Sequence, residues 1–262
     1  MTTKQLQNVA IATNHPVTIF WLSITSFIGW FLSSLGAGGS SYIIVPMVAL
    51  LLGAIAIPPV IATGMLIGNS QRVFLYWKNV NWQVFWYYLP GAITGACLGA
   101  FVFSKTKIEW LSLLIALFLL FSALSHFFKG GKATFQVQIW QFLPAGFIHA
   151  FLSGLIGGTG PLLAPFYLNY GLVKEELLAT RAINLAVVHF VKIIAYGVFG
   201  SLSLNYVMYG LIIGVAAFPG NWLGKMVVEK ISVQRFQQLV VSFVMMSGVL
   251  MLWEQRQFLL FW

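Results

Sequence analysis

Apolar residues fill long blocks of this chain, parted by short polar or glycine-rich interruptions. The blocks lie near residues 17 to 35, 41 to 57, 59 to 78, 83 to 103, 108 to 128, 138 to 156, 161 to 172, 177 to 199, 204 to 227 and 236 to 253. A helix needs about 20 mostly apolar residues to cross a bilayer, so most blocks predict spanning helices. The block at 161 to 172 is too short, reaching roughly 18 Å at about 1.5 Å per residue, and predicts a half-helix or re-entrant piece. A single long hydrophilic connection, Lys129-Gly130-Gly131-Lys132-Ala133-Thr134, splits the chain into near-equal halves. The expected layout is an N-terminal tail at 1–16, a first transmembrane repeat at 17–128, a connecting loop at 129–137, a second repeat at 138–253 and a C-terminal tail at 254–262.

Two interruptions are of one unusual kind. The first reads Ser33-Ser34-Leu35-Gly36-Ala37-Gly38-Gly39-Ser40-Ser41 with Pro46 downstream, and the second Ser153-Gly154-Leu155-Ile156-Gly157-Gly158-Thr159-Gly160-Pro161 with Pro165 downstream. Hydrocarbon offers an unwound backbone no hydrogen-bond partner, so such breaks persist only where they are buried in protein or line a cavity. Two of them in corresponding positions point to a shared site near the midplane. The plainer reading, glycines that let helices approach closely, does not require the prolines. Weaker matches run in parallel: Ala62-Thr63 with Ala179-Thr180, which sets Arg72 opposite His189, and Gly95, Leu98 and Gly99 with Gly220, Leu223 and Gly224. The expected fold class is an all-α polytopic membrane protein, two homologous helical repeats with broken or re-entrant helices at the glycine clusters.

Composition supports the class, because 60% hydrophobic residues against 7% charged and a mean hydropathy of +0.90 exclude a soluble globular domain. The chain has five acids, Glu109, Glu175, Glu176, Glu229 and Glu254, and no aspartate. All five fall near block ends, which argues against a cation carrier or pump with an intramembrane carboxylate. No HExxH motif, aspartate pair or Ser-His-Asp set is present, so an enzyme is not expected, and neither are a cofactor, a metal site or a nucleic-acid partner. The net charge of +9 fits loops that face anionic lipid and cytoplasm. Cys97, the lone cysteine, reads as a small hydrophobe. The polar first 16 residues read as a tail and not a signal peptide.

Candidate chemistry gathers on the segment from Thr180 to Tyr196. At about 100° per residue, Thr180, Arg181, Asn184, His189, Lys192 and Tyr196 share roughly half the helix circumference, leaving an apolar opposite face. Lys192 has two readings, a midplane cation or a side chain snorkelling to the interface. Arg181, beside Glu175 and Glu176, reads as an interfacial anchor. His189 is either a proton carrier or a structural histidine. Arg72, with Asn69 and Gln71 close by, faces a cavity or lies in a loop according to where its helix ends. His149, four residues before Ser153, either senses the second break or packs. Trp77, Trp82, Trp86, Tyr87 and Tyr88 predict an interfacial aromatic belt.

The paired glycine clusters with downstream prolines, the Ala-Thr segment starts, the glycine-spaced fourth segment and the overall length resemble the TauE/SafE family, the bacterial sulfite exporters, over roughly residues 17 to 253. The first cluster reads GAGGS where three consecutive glycines are frequent in the family, and the second reads GGTGP. The resemblance implies a multi-pass permease of the plasma membrane that moves sulfite, sulfonates or related sulfur-containing or organic anions. Helix N-termini at the breaks are expected to face the anion, with donors from Gly38, Gly39, Ser40 and Ser41 and from Gly158, Thr159 and Gly160. Asn69, Arg72, Asn184, His189 and Lys192 complete the expected substrate site. Rocking of one half against the other would release the cargo; the alternative is an anion channel without alternating access. Export or import, proton coupling or uniport, inverted or parallel repeats, orientation and oligomeric state stay open.

Overall fold

The computed structural model describes residues 15–53, 56–105, 136–157, 159 and 162–254. Their secondary structure is helical, with no strand among the described residues. In chain order the helices are α1 (His15–Leu35), α2 (Ser40–Leu52), α3 (Ile57–Leu75), α4 (Trp82–Lys105), α5 (Phe142–Ile156), α6 (Ala164–Tyr170), α7 (Lys174–Val198), α8 (Leu204–Lys230) and α9 (Val233–Glu254), with 3-10 turns at Trp77–Asn79 and Ile139–Gln141. The expected block at 108 to 128 lies outside the described residues. The short block at 161 to 172 is the seven-residue α6, as its length required.

Local chemistry sets the helix ends. Pro58 and Pro59 open α3, where a missing N–H costs nothing. Glu175 and Glu176 occupy the first turn of α7, beside the positive end of its dipole. The Ser203 hydroxyl accepts from the Tyr206 N–H at the start of α8. Both glycine clusters do break the helix: α1 ends at Leu35 and α2 begins at Ser40, with Gly38 at φ 143° and Gly39 at φ 101° between them. The second break opens with Gly157 at φ 89°.

Among the described residues, four helices are long and apolar enough to cross a bilayer: Pro16–Leu35, Trp82–Phe103, Lys174–Val198 and Leu204–Lys230. Outward-facing apolar side chains such as Phe20, Phe74, Trp86, Val198 and Val215 fit a lipid surround, which would be an aggregation hazard in water. Trp77, Trp82, Trp86 and Tyr87 are exposed, as an aromatic belt requires, but Tyr88 is buried. Cys97 is exposed on α4.

Packing is led by close helix pairs, α4 on α5 and α1 on α8, with α3 against α8 and α7, and α4 against α7. Glycines make the tightest approaches possible. A Cβ at Gly95 or Gly99 would strike the carbonyl oxygen of Phe147 or Phe151 on α5, and one at Gly220 would strike the Phe27 carbonyl on α1. Backbone is pressed against backbone at these points, the contact that small residues permit between apolar helices. The polar face of α7 turns inward as its periodicity predicts: Thr180, Arg181, Asn184, His189, Lys192 and Tyr196 are all buried.

Candidate anion site at the two helix breaks

The breaks meet. A cavity of about 30 Å³ lies between them, walled by Ser40 and Ser41 at the start of α2 and by Ser153 and Thr159 around the second break. The central helices supply the rest: Ile61, Met65, Asn69 and Arg72 from α3, and Arg181, Leu185 and His189 from α7, with Trp30 and Ser33 from α1. That volume holds about two water molecules.

Two buried cations reach the carbonyl ends of the broken helices. The Arg72 guanidinium donates to the Trp30 carbonyl at 3.3 Å, to Ser34 Oγ at 2.9 Å and to Ser33 Oγ at 3.3 Å. Its Nε is held by Asn221 Oδ1 at 3.0 Å, and Asn221 in turn donates to the Gly68 carbonyl at 2.9 Å, so α8 fixes the orientation of a side chain on α3. The guanidinium lies over the Trp30 ring, 4.9 Å from its centroid. Lys192 Nζ donates to the carbonyls of Ser153 and Gly157, each at 2.9 Å, and contacts Ser153 Oγ at 3.3 Å. The C-terminal turns of α1 and α5 carry partial negative charge, which favours a cation there, although the Trp30 carbonyl also accepts from Ser34 Oγ and the Ser153 carbonyl from the Gly157 N–H.

Arg181 is buried in the cavity wall, not anchored at an interface. A Cβ at Gly38 would sit 2.6 Å from its Nη2, so Gly38 is required both for its positive φ and for the room that this guanidinium takes. From the second break a buried relay leads outward: Thr159 Oγ1 lies 2.9 Å from His149 Nε2, and His149 Nδ1 lies 2.7 Å from the Tyr88 hydroxyl. That bond accounts for the burial of Tyr88, which its aromatic neighbours in sequence do not share. Two wall residues, Trp30 through Nε1 and His189 through Nδ1, carry a buried polar atom with no hydrogen-bond partner in the protein.

Of the residues expected at the site, Ser40, Ser41, Asn69, Arg72, Thr159 and His189 line the cavity. Gly38 and Gly39 shape the turn before α2. Lys192 is directed to the α5 carbonyls, and Asn184 donates to the Tyr167 hydroxyl at 2.8 Å; neither is among the lining residues. Gly158 and Gly160 lie outside the described residues. Sequence reasoning missed Trp30, Ser33, Ser153, Arg181 and the positioning residue Asn221. The serines were within reach, since each directly precedes a break. Arg181 was concealed by its acidic neighbours, and Asn221 stands alone in an apolar block.

One constant interval in sequence relates opposite walls: Ser33 to Ser153, Ile61 to Arg181, Met65 to Leu185 and Asn69 to His189 all line the cavity. The same interval joins Arg72 to Lys192. The expected pairing of Arg72 with His189 follows a shorter interval.

The model of the family described as "Sulfite exporter TauE/SafE" matches residues 22–251, which takes in every element that builds this cavity. The chain belongs to the sulfite exporter TauE/SafE family. No curated protein and no solved structure matches the chain. TauE/SafE proteins are membrane transporters of sulfite and related sulfur anions, so the breaks, the buried cations and the small polar cavity of this member sit within a transport protein. None of the groupings of His, Cys, Asp and Glu among its described residues could hold a metal ion.

Proposed function

We propose that this protein is a plasma-membrane permease for small anions, sulfite and related sulfur oxyanions foremost, and that the cavity between the breaks is its substrate site. The observation that carries the reading is Arg72: a buried guanidinium on the cavity wall whose partners are all neutral, next to a second arginine and an indole N–H without a partner. The Ser41 hydroxyl and the first N–H groups of α2 add further donors, and the Ser40 hydroxyl, which donates to Met65 Sδ, stands beside them. Donors without a matching carboxylate select an anion, and their fixed positions avoid the cost of reorganising a polar site around it.

The small volume favours a carrier over a channel. A conducting pore needs a continuous wet path, whereas space for about two waters suits a centre that opens to one side at a time. The constant interval across the cavity, together with the packing of α1 on α8 and of α4 on α5, supports two homologous halves that rock about α3 and α7.

The test is sulfite flux in proteoliposomes with the purified protein and with Arg72→Gln. Losing charge-assisted donors worth about 1.5 to 3 kcal/mol predicts roughly a 10- to 100-fold fall in apparent affinity. Saturable flux that keeps wild-type affinity in the variant, once folding is verified, would remove Arg72 and this cavity from the transport path.

A further inference from the structure

The partners of the two cations at the breaks are neutral oxygens throughout. Arg72 donates to Asn221, Ser33, Ser34 and the Trp30 carbonyl, and Lys192 to the carbonyls of Ser153 and Gly157 and the Ser153 hydroxyl. The whole chain offers only five carboxylates. Among the described carboxylates, Glu175 and Glu229 pair with Lys174 and Lys225 and Glu176 accepts from the Asn81 side chain, and none of the three lines the cavity. A helix C-terminus supplies roughly half a negative charge, so two termini offset about half of what Arg72 and Lys192 bring. The N-terminus of α2 makes the cavity more positive still, and the Arg72 guanidinium does not release its proton in a protein.

This imbalance matters most when the cavity is shut off from both sides. Water then no longer screens the cations, and an uncompensated buried charge is far costlier than a paired one. An anion in the cavity removes that cost; an unloaded cavity must bear it during every return stroke. We propose that the site does not cross the membrane empty and that the protein is an obligate exchanger, returning with a second small inorganic anion each time it delivers one. The exchange mode rests on the carrier reading above and goes beyond it by fixing stoichiometry: one anion out for one anion in.

Proteoliposomes loaded with radiolabelled sulfite test it, with protein-free vesicles subtracted and the membrane potential clamped by potassium and valinomycin. Efflux is followed into unlabelled sulfite, into chloride, into sulfate, or into a buffer whose only anion is gluconate. Efflux into sulfite at least about ten-fold faster than into gluconate, equivalent to about 1.4 kcal/mol on the limiting step, is the expected result. The chloride and sulfate arms identify the counter-anion by whichever restores the fast rate. Equal efflux into gluconate and sulfite overturns exchange and leaves the carrier reading standing, because net movement would then occur with an empty return. Absence of protein-dependent efflux in every arm overturns the carrier reading and exchange with it. In Arg72→Gln the ratio of exchange to net efflux is expected to fall toward one. The wild-type comparison decides the matter even if that variant does not fold.

Discussion

Arg72 and Lys192 perform one electrostatic task at two separate breaks: each cation, carried on a central helix, closes the carbonyl end of a helix that stops inside the protein. The tasks differ in what else the side chain does. Arg72 also lines the cavity, whereas the three donors of Lys192 face three protein oxygens. Lys192→Met therefore tests structure first. It leaves the Gly157 carbonyl buried without its donor, at about 1 to 3 kcal/mol, and takes the second donor from the Ser153 carbonyl, which keeps the Gly157 N–H. The expected result is a clear drop in thermal unfolding midpoint in detergent, with sulfite still protecting whatever protein folds. A variant with unchanged stability and lost sulfite protection would mean that Lys192 acts on the anion directly.

The relay from Thr159 through His149 to Tyr88 fixes the second break by two hydrogen bonds in series. Tyr88→Phe and Thr159→Val each remove one bond, at about 1 kcal/mol, and each lets the imidazole turn. Since both act through His149, their effects on sulfite affinity are expected to be non-additive, the double variant falling little below the worse single one. Strict additivity would show that the histidine transmits nothing between them.

Much of the fold was legible because its determinants are local and periodic. The two glycine clusters announced the breaks, the length of the 161 to 172 block announced α6, and the polar positions of α7 announced its buried face. Half of the expected site residues line the cavity. What escaped depended on three-dimensional register: whether Arg181 points to an interface or into the cavity is decided by Gly38, far away in sequence, and the role of Asn221 appears only when α8 is laid against α3. The expected match of Arg72 with His189 follows a different interval from the residues that line the cavity. It was anchored on Ala-Thr pairs at the starts of α3 and α7, whereas the cavity wall follows the interval set by the breaks.

Glycine positions divide sharply by what surrounds them, and substitution should divide them in the same way. Gly220→Ala drives a methyl group into the Phe27 carbonyl, and Gly95→Ala into that of Phe147; backbone cannot step aside as a flexible side chain can. Both are expected to separate the helix pairs and cost at least about 1 to 3 kcal/mol. Gly197, near the end of α7, has its nearest neighbour 3.9 Å from the same methyl position. There alanine is expected to be neutral or to stabilise by up to about 1 kcal/mol through helix propensity. Thermal unfolding midpoints of the three variants check the ranking, and a harmless Gly220→Ala would contradict the packing of α8 on α1.

Trp30 offers the sharpest separation of binding from folding. Its ring packs on Gly68, where a methyl group would collide with it, and lies beneath the Arg72 guanidinium, while its buried Nε1 has no partner in the protein. Trp30→Phe keeps an aromatic ring in the cation–π contact and deletes the indole N–H, so the protein without sulfite loses packing but no hydrogen bond. If that N–H donates to the anion, losing one bond of about 1 kcal/mol lowers sulfite affinity roughly five-fold. The reading comes from the sulfite concentration that gives half-maximal thermal protection, which linkage ties to affinity independently of the starting stability. A lowered midpoint with an unchanged half-maximal concentration would assign Trp30 to packing alone and leave Arg72, Ser40 and Ser41 as the donors that hold the anion.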